Sequence, residues 1–224
     1  MRIEIWSDIV CPWCYIGKRR FESALAGFEH RGAVEVAWRS FELDPDAPLG
    51  PGMPLNEMLS RKYGMSLAKA ESANEQVTSI AAGEGLSYHL DIARTANSFA
   101  AHRLVHLAGA HGMADAMQER LMKAYFSDGL ALGDTEVLTG LAAEVGLDAA
   151  EARKTLEGDA FTEDVRRDEK RAAQFGISGV PCFLIEEWWG VSGAQPLETF
   201  KQALSESWEK LKESKGPLVS PRES

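Results

Sequence analysis

The sequence predicts an α/β protein with a large all-helical insertion after its second strand. Three observations carry that reading. Residues 3–38 read as strand, helix and strand. Residues 55–156 then show helical periodicity with almost no strand character. Residues 160–213 return to a helix, an apolar strand, a hairpin and a closing helix. The expected organisation is one discontinuous domain, 1–43 with 160–213, an inserted helical subdomain at 44–159, and a flexible tail at 214–224.

The elements follow in order. Ile3-Glu4-Ile5-Trp6 is a short β-leaning run, and residues 7–10 form a loop. The pattern turns helical from Pro12, with a helix expected over 15–28, because Phe21, Leu25 and Phe28 recur at helical spacing. Gly32 ends it, and residues 34–38 alternate as a second strand. A helix of that length between two strands implies parallel pairing through a right-handed crossover. Four prolines make 41–54 a loop. Helices are expected at 55–63, 66–84, 95–111, 114–126, 135–145 and 149–156, several opened by the capping residues Ser66, Asp134 and Asp148. A structureless loop of this length has no place in a compact protein. A further helix is expected at 161–175 and a buried strand at 180–185 that begins with a proline. Residues 188–191 pair with it as a hairpin, and 197–212 form the last helix. The polar tail reads as disordered.

Bulk composition bounds the function. A chain of 224 residues buries a core without disulfide staples. Its net charge of −10 argues against a phosphate-neutralising surface, so nucleic acid is not an expected partner. No run reaches the roughly eighteen apolar residues of a membrane helix, so no membrane partner is expected. The N-terminus runs straight into a strand pattern without the apolar core of a signal peptide, and the expected address is cytoplasmic. Three cysteines are too few, and odd in number, for a disulfide framework. The sequence leaves the oligomeric state open.

The chemistry centres on Cys11-Pro12-Trp13-Cys14, between the first strand and the first helix. Thiol–disulfide exchange needs a thiolate. The unpaired N–H groups and dipole at a helix start favour negative charge, so Cys11 stands where a thiolate is best supported. Cys14 lies one turn on, within reach of a mixed disulfide at Cys11. Pro12 suits the first helical turn, where its missing N–H costs nothing. With Trp13 it tunes the redox poise of the pair and faces the substrate. Structural zinc would need two more ligands, and no second Cys-x-x-Cys exists in the chain. Redox chemistry, metal binding and inert thiols are thus the alternatives, with redox favoured and no metal expected.

A second feature is Gly179-Val180-Pro181. Proline inside sheets is confined to strand starts and edges. A cis Val180–Pro181 bond would leave the Val180 backbone groups for an extended peptide or glutathione. An ordinary trans proline is the alternative, and proline statistics alone favour it.

Together these residues resemble the thioredoxin fold, and the helical insertion makes the chain similar to its DsbA-type branch. Residues 7–17, Phe41-Glu42-Leu43-Asp44-Pro45, Ala101-His102-Arg103-Leu104 and Val191-Ser192-Gly193-Ala194-Gln195 resemble the FrnE-like dithiol oxidoreductases. The resemblance spans nearly the whole chain except the tail. It implies that Cys11 attacks, Cys14 resolves and Pro181 is a cis-proline. The same architecture is similar to kappa-class glutathione transferases and 2-hydroxychromene-2-carboxylate isomerases. Those carry serine where Cys11 stands, so the chain departs from them at the reactive position. Glutathione remains a candidate co-substrate, with no bound cofactor expected. Ser192 and Gly193 lie just before the last helix, where backbone N–H groups receive a carboxylate; a plain turn is the alternative.

Other residues carry weaker signals. Cys182 is either a third redox thiol beside the site or a buried cysteine acting as a small apolar residue, and the second is favoured. Asp8 either accepts a proton from Cys14 or caps a turn, with the turn favoured. His102 and His106 share a helix face at metal-binding spacing, but no third ligand is apparent. Trp188 and Trp189 are either a peptide platform or hairpin packing. The leading function is a thiol–disulfide oxidoreductase acting on protein or small-molecule disulfides. The rivals are a glutathione-dependent transferase or isomerase and a thiol-bearing adaptor.

Overall fold

A computed structural model describes residues 1–50 and 52–215. Four strands form one sheet: β1 (Arg2–Ser7), β2 (Glu35–Ser40), β3 (Cys182–Ile185) and β4 (Trp189–Ser192), in the order β2-β1-β3-β4. β1 and β2 pair in parallel, as the intervening helix α1 (Pro12–Ala26) demands. β3 runs antiparallel to both β1 and β4.

The sheet separates two apolar layers because strand side chains alternate. Ile3, Ile5, Phe183 and Ile185 face Phe21 of α1 and Phe200 of the last helix, α9 (Leu197–Lys215). Trp6, Cys182 and Leu184 face the other way, against Ala172 of α8 (Thr162–Gln174). Glu4 shares that second face and is buried, where Arg39 and Arg171 pair with it. Burial raises its carboxyl, but the two guanidiniums outweigh burial and hold it below the ordinary range.

Between β2 and β3 the chain forms α2 (Leu55–Tyr63), α3 (Leu67–Gly83), α4 (Phe99–Ala110), α5 (Ala114–Phe126), α6 (Thr135–Val145) and α7 (Ala149–Glu157), then α8. The α/β class with its helical insertion after the second strand is therefore observed. Ser66, Asp134 and Asp148 cap α3, α6 and α7, each side chain accepting from the first-turn backbone. The helices share one apolar core with the Cys11 turn, through Leu104, Leu107, Leu121 and Phe126.

Several boundaries differ from expectation: α1 spans Pro12–Ala26 rather than 15–28, and β3 opens at Cys182 rather than 180. Residues 95–98 are not helical, and α4 starts at Phe99. Asn97 accepts from the Phe99 N–H and donates to the Pro45 and Ala47 carbonyls, while the Thr95 N–H donates to Met53. That backbone is spent holding the proline-rich loop. The last helix also continues to Lys215, into the start of the expected tail, and residues 216–224 lie outside the described residues. Among the described residues no helix is long and apolar enough to cross a membrane.

Candidate active site

Cys11 is the N-cap of α1, with extended backbone angles, and Pro12 occupies the first turn. The Cys14 N–H donates to the Cys11 carbonyl at 3.0 Å, which closes the turn and draws the two thiols together. All three cysteines are free thiols. Cys11 is 4% exposed and Cys14 1%, whereas Trp13 between them is 40% exposed. The turn thus offers solvent mainly the Trp13 side chain.

Cys14 is the inner thiol. The Asp8 N–H donates to its sulfur at 3.5 Å. Burial pushes its pKa well above the usual thiol value, and the neighbouring Cys11 pushes it further. A buried thiol of that kind stays protonated until a reaction calls on it.

Residues 180–181 complete the opposite wall. The Val180–Pro181 peptide is cis, and the Cys11 thiol points to the Val180 carbonyl at 3.8 Å. Gly17 allows this approach, since a methyl group there would lie 3.0 Å from Pro181 Cγ and 3.5 Å from the Ala194 Cα. The Ser192 turn is tied to the same wall, because the Gly193 N–H donates to the Pro181 carbonyl at 2.7 Å. That N–H is therefore engaged inside the protein rather than turned to a carboxylate. Gly193 has φ of 81°, a left-handed conformation that glycine adopts without strain. Ser192 itself is exposed.

The helical region supplies the third wall. The Tyr88 hydroxyl donates to the Pro12 carbonyl at 2.8 Å, and its ring stacks on Phe126 with centroids 4.7 Å apart. Burial raises the Tyr88 pKa, and the nearby Cys11 adds to it, so this phenol remains a donor. Tyr15, one residue after Cys14, donates to Glu119 of α5 at 2.6 Å. Arg19 and Lys18 reach the same carboxylate. Burial favours protonating Glu119, but the hydrogen bonds from Arg19 and Tyr15 and the Lys18 charge prevail and hold it at about 2. This cluster clamps α1 to α5.

The weaker candidates resolve as follows. Cys182 faces Trp6 and Ala172, across the sheet from α1, so it is packed as an apolar residue away from the dithiol. Burial raises its pKa. Asp8 is fully buried, accepting from the Val10 N–H at 3.3 Å and the Leu43 N–H at 2.8 Å, as the turn role required. His102 is buried with Nε2 3.5 Å from Asp8, and His106 contacts Ser40 and Asp168, so the two do not converge. Trp188 lies beside the β3–β4 turn, at the far end of β3 from Pro181, with Lys210 over its ring. This placement rules out a platform at the site.

Ser7, Gly17, Tyr88, Gln118 and Glu119 join the site without a role foreseen from the sequence. Gln118 did carry a signal. It is a lone polar residue among the buried positions Met117, Leu121, Met122 and Tyr125 of α5.

A cis-proline wall facing an N-capping cysteine, on a four-stranded sheet with helices inserted after β2, defines a thioredoxin-fold protein. The chain belongs to the family of the DSBA-like thioredoxin domain, whose model matches residues 2–205. It is similar to the crystal structure of a probable DsbA oxidoreductase from Streptomyces coelicolor, with 46% identity, a TM-score of 0.91, and coverage of 94% of this chain and 91% of that one. It is 31% identical to the YwbO protein of Bacillus subtilis (strain 168) over 94% of this chain and 98% of that protein. It shares the fold of the cytosolic disulfide reductase DsbM from Pseudomonas aeruginosa, solved with GSH, at 17% identity and a TM-score of 0.65, covering 93% of this chain and all of that one.

Proposed function

We propose that the protein is a thiol–disulfide oxidoreductase of the reductase or isomerase type, working through the Cys11–Cys14 dithiol. One observation carries the reading. An outer cysteine at a helix start faces the Val180 carbonyl, with a buried, protonated cysteine one turn behind it. Cys11 as thiolate attacks a substrate disulfide, forming Cys11–S–S–R and releasing RS⁻. Cys14 then loses its proton, attacks Cys11, and releases the second thiolate. An isomerase returns the disulfide to the substrate. Pro12, Trp13, Val180 and Pro181 form the substrate surface, with Ser192 and Gly193 at its edge.

The substrates are protein or small-molecule disulfides, in the cytoplasm, with glutathione as candidate co-substrate. The fold shared with DsbM, a cytosolic reductase solved with GSH, supports both assignments. Insulin reduction tests the reading. Cys11→Ser abolishes it, and Cys14→Ser accumulates mixed disulfides with the substrate. Undiminished reduction by Cys11→Ser would sink the proposal. Tight glutathione binding by calorimetry without any dithiol activity would replace it with a glutathione-dependent isomerase or transferase.

A further inference from the structure

Cys14 poses a chemical problem that the dithiol alone does not solve. Its thiolate must form in a site with 1% exposure. A buried sulfur anion needs hydrogen-bond donors aimed at it. The Asp8 N–H is one, at 3.5 Å. The residue before it, Ser7, is also 1% exposed, at the end of β1. Its hydroxyl oxygen accepts a hydrogen bond from Gln118 Nε2 at 3.0 Å. A serine oxygen that accepts in this way keeps its own hydrogen for another partner. Ser7 lies on the face of β1 that Ile3 and Ile5 turn toward α1, and the next N–H along the chain already donates to Cys14 Sγ, so the hydroxyl stands on the side of that sulfur, where a hydrogen bond from it would favour the thiolate.

Gln118 is 2% exposed in the apolar stripe of α5, where a polar side chain is costly unless it is paired. Its amide donates to Ser7, four helices and more than a hundred residues away in sequence. We propose that Gln118 and Ser7 form a donor chain that stabilises the Cys14 thiolate as it resolves the mixed disulfide. In this chain Ser7 is the donor to the reacting sulfur, and Gln118 is a positioning residue that orients the Ser7 hydroxyl. The helical region thereby sets the speed of the second exchange step. The inference rests on the dithiol reading above and deepens it.

Cys14 gives its proton to solvent base and its thiolate attacks Cys11. The Cys11–Cys14 bond forms, the Cys11–substrate S–S bond breaks, and the substrate sulfur departs with the electron pair. The donor chain supplies hydrogen bonds only and is unchanged at the end. Besides the donors, the titratable groups around Cys14 are Cys11 on its own turn, Tyr88 from the segment before α4, and Asp8 backed by His102 of α4 and Tyr125 of α5.

An aromatic disulfide whose thiol is coloured reads the two steps separately by stopped flow. The first release of colour is attack by Cys11, and the second is resolution by Cys14. Ser7→Ala slows the second release about tenfold at neutral pH, the scale of one hydrogen bond to a charged group, and moves its pH profile to higher pH. Gln118→Met keeps the buried volume and slows it by roughly three- to tenfold with the same alkaline displacement. Both slow the second release more than the first. Because Gln118 acts through Ser7, the double variant is no slower than Ser7→Ala alone. Additive losses, an undisplaced pH profile, or equal slowing of both releases would overturn the donor chain. Absence of any second release in the unaltered protein would instead overturn the dithiol reading.

Discussion

Replacing Glu119 by glutamine tests the clamp that holds the cysteine-bearing helix against the helical region. Glu119 of α5 accepts from Tyr15 at 2.6 Å, pairs with Lys18 at 3.0 Å, and is bridged by Arg19. Its folded value lies at about 2 against an ordinary 4.5. At about 1.4 kcal/mol per pH unit this bounds its contribution at roughly 3 kcal/mol. Partial exposure of the cluster screens that to about 1–2 kcal/mol. A carboxylate lowered on folding stabilises fully above its unfolded value and loses the effect as pH falls through its folded one. The advantage over Glu119→Gln is therefore constant above about pH 5, more than half gone by about pH 3, and absent near the folded value of about 2. Urea unfolding of both proteins, followed by far-ultraviolet dichroism across that range, measures it. A gap that stays the same at about pH 3 and pH 7 would show that Glu119 acts through packing rather than charge, and would refute the reasoning.

Further substitutions probe the site walls. Gly17→Ala places a methyl group 3.0 Å from Pro181 Cγ. It should cost about 1–3 kcal/mol in urea unfolding and slow insulin reduction, because α1 and the Pro181 wall must separate. Cys182→Ala leaves the redox titration of the Cys11–Cys14 pair unchanged, because Cys182 packs with Trp6 on the opposite face of the sheet; a displaced titration measured by thiol alkylation would contradict that placement. Tyr88→Phe removes the 2.8 Å donor to the Pro12 carbonyl. Ring stacking survives, so stability falls by about 1 kcal/mol, and the expected readout is faster proteolysis within the Cys11 turn.

Much of the fold was legible because its signals are local. The β-α-β start, the capped helices and the apolar strand after Pro181 each show in a few neighbouring residues. The start of α4 was not, because what stops the helix at Phe99 is Asn97 holding a loop some fifty residues earlier in the chain. The cis state of Val180–Pro181 was equally hidden, since proline statistics favour trans and only the resemblance pointed the other way. The burial of Glu4 was also out of sight, because the arginines that pair with it come from β2 and α8.

By itself the sequence located the Cys11–Cys14 pair. Cys11 and Cys14 sit one turn apart at a helix start, and that geometry follows from spacing and from where the helix pattern begins. It also determined that a long helical region had to pack somewhere. Only the tertiary structure decided what surrounds each sulfur. Cys182, adjacent to Pro181 in the chain, is turned away from the dithiol by strand alternation, while Gln118, far away in the chain, is brought to Ser7. Residue types set the chemistry of a thiol. Whether it is buried, and which donors reach it, depends on contacts between segments that no local pattern specifies.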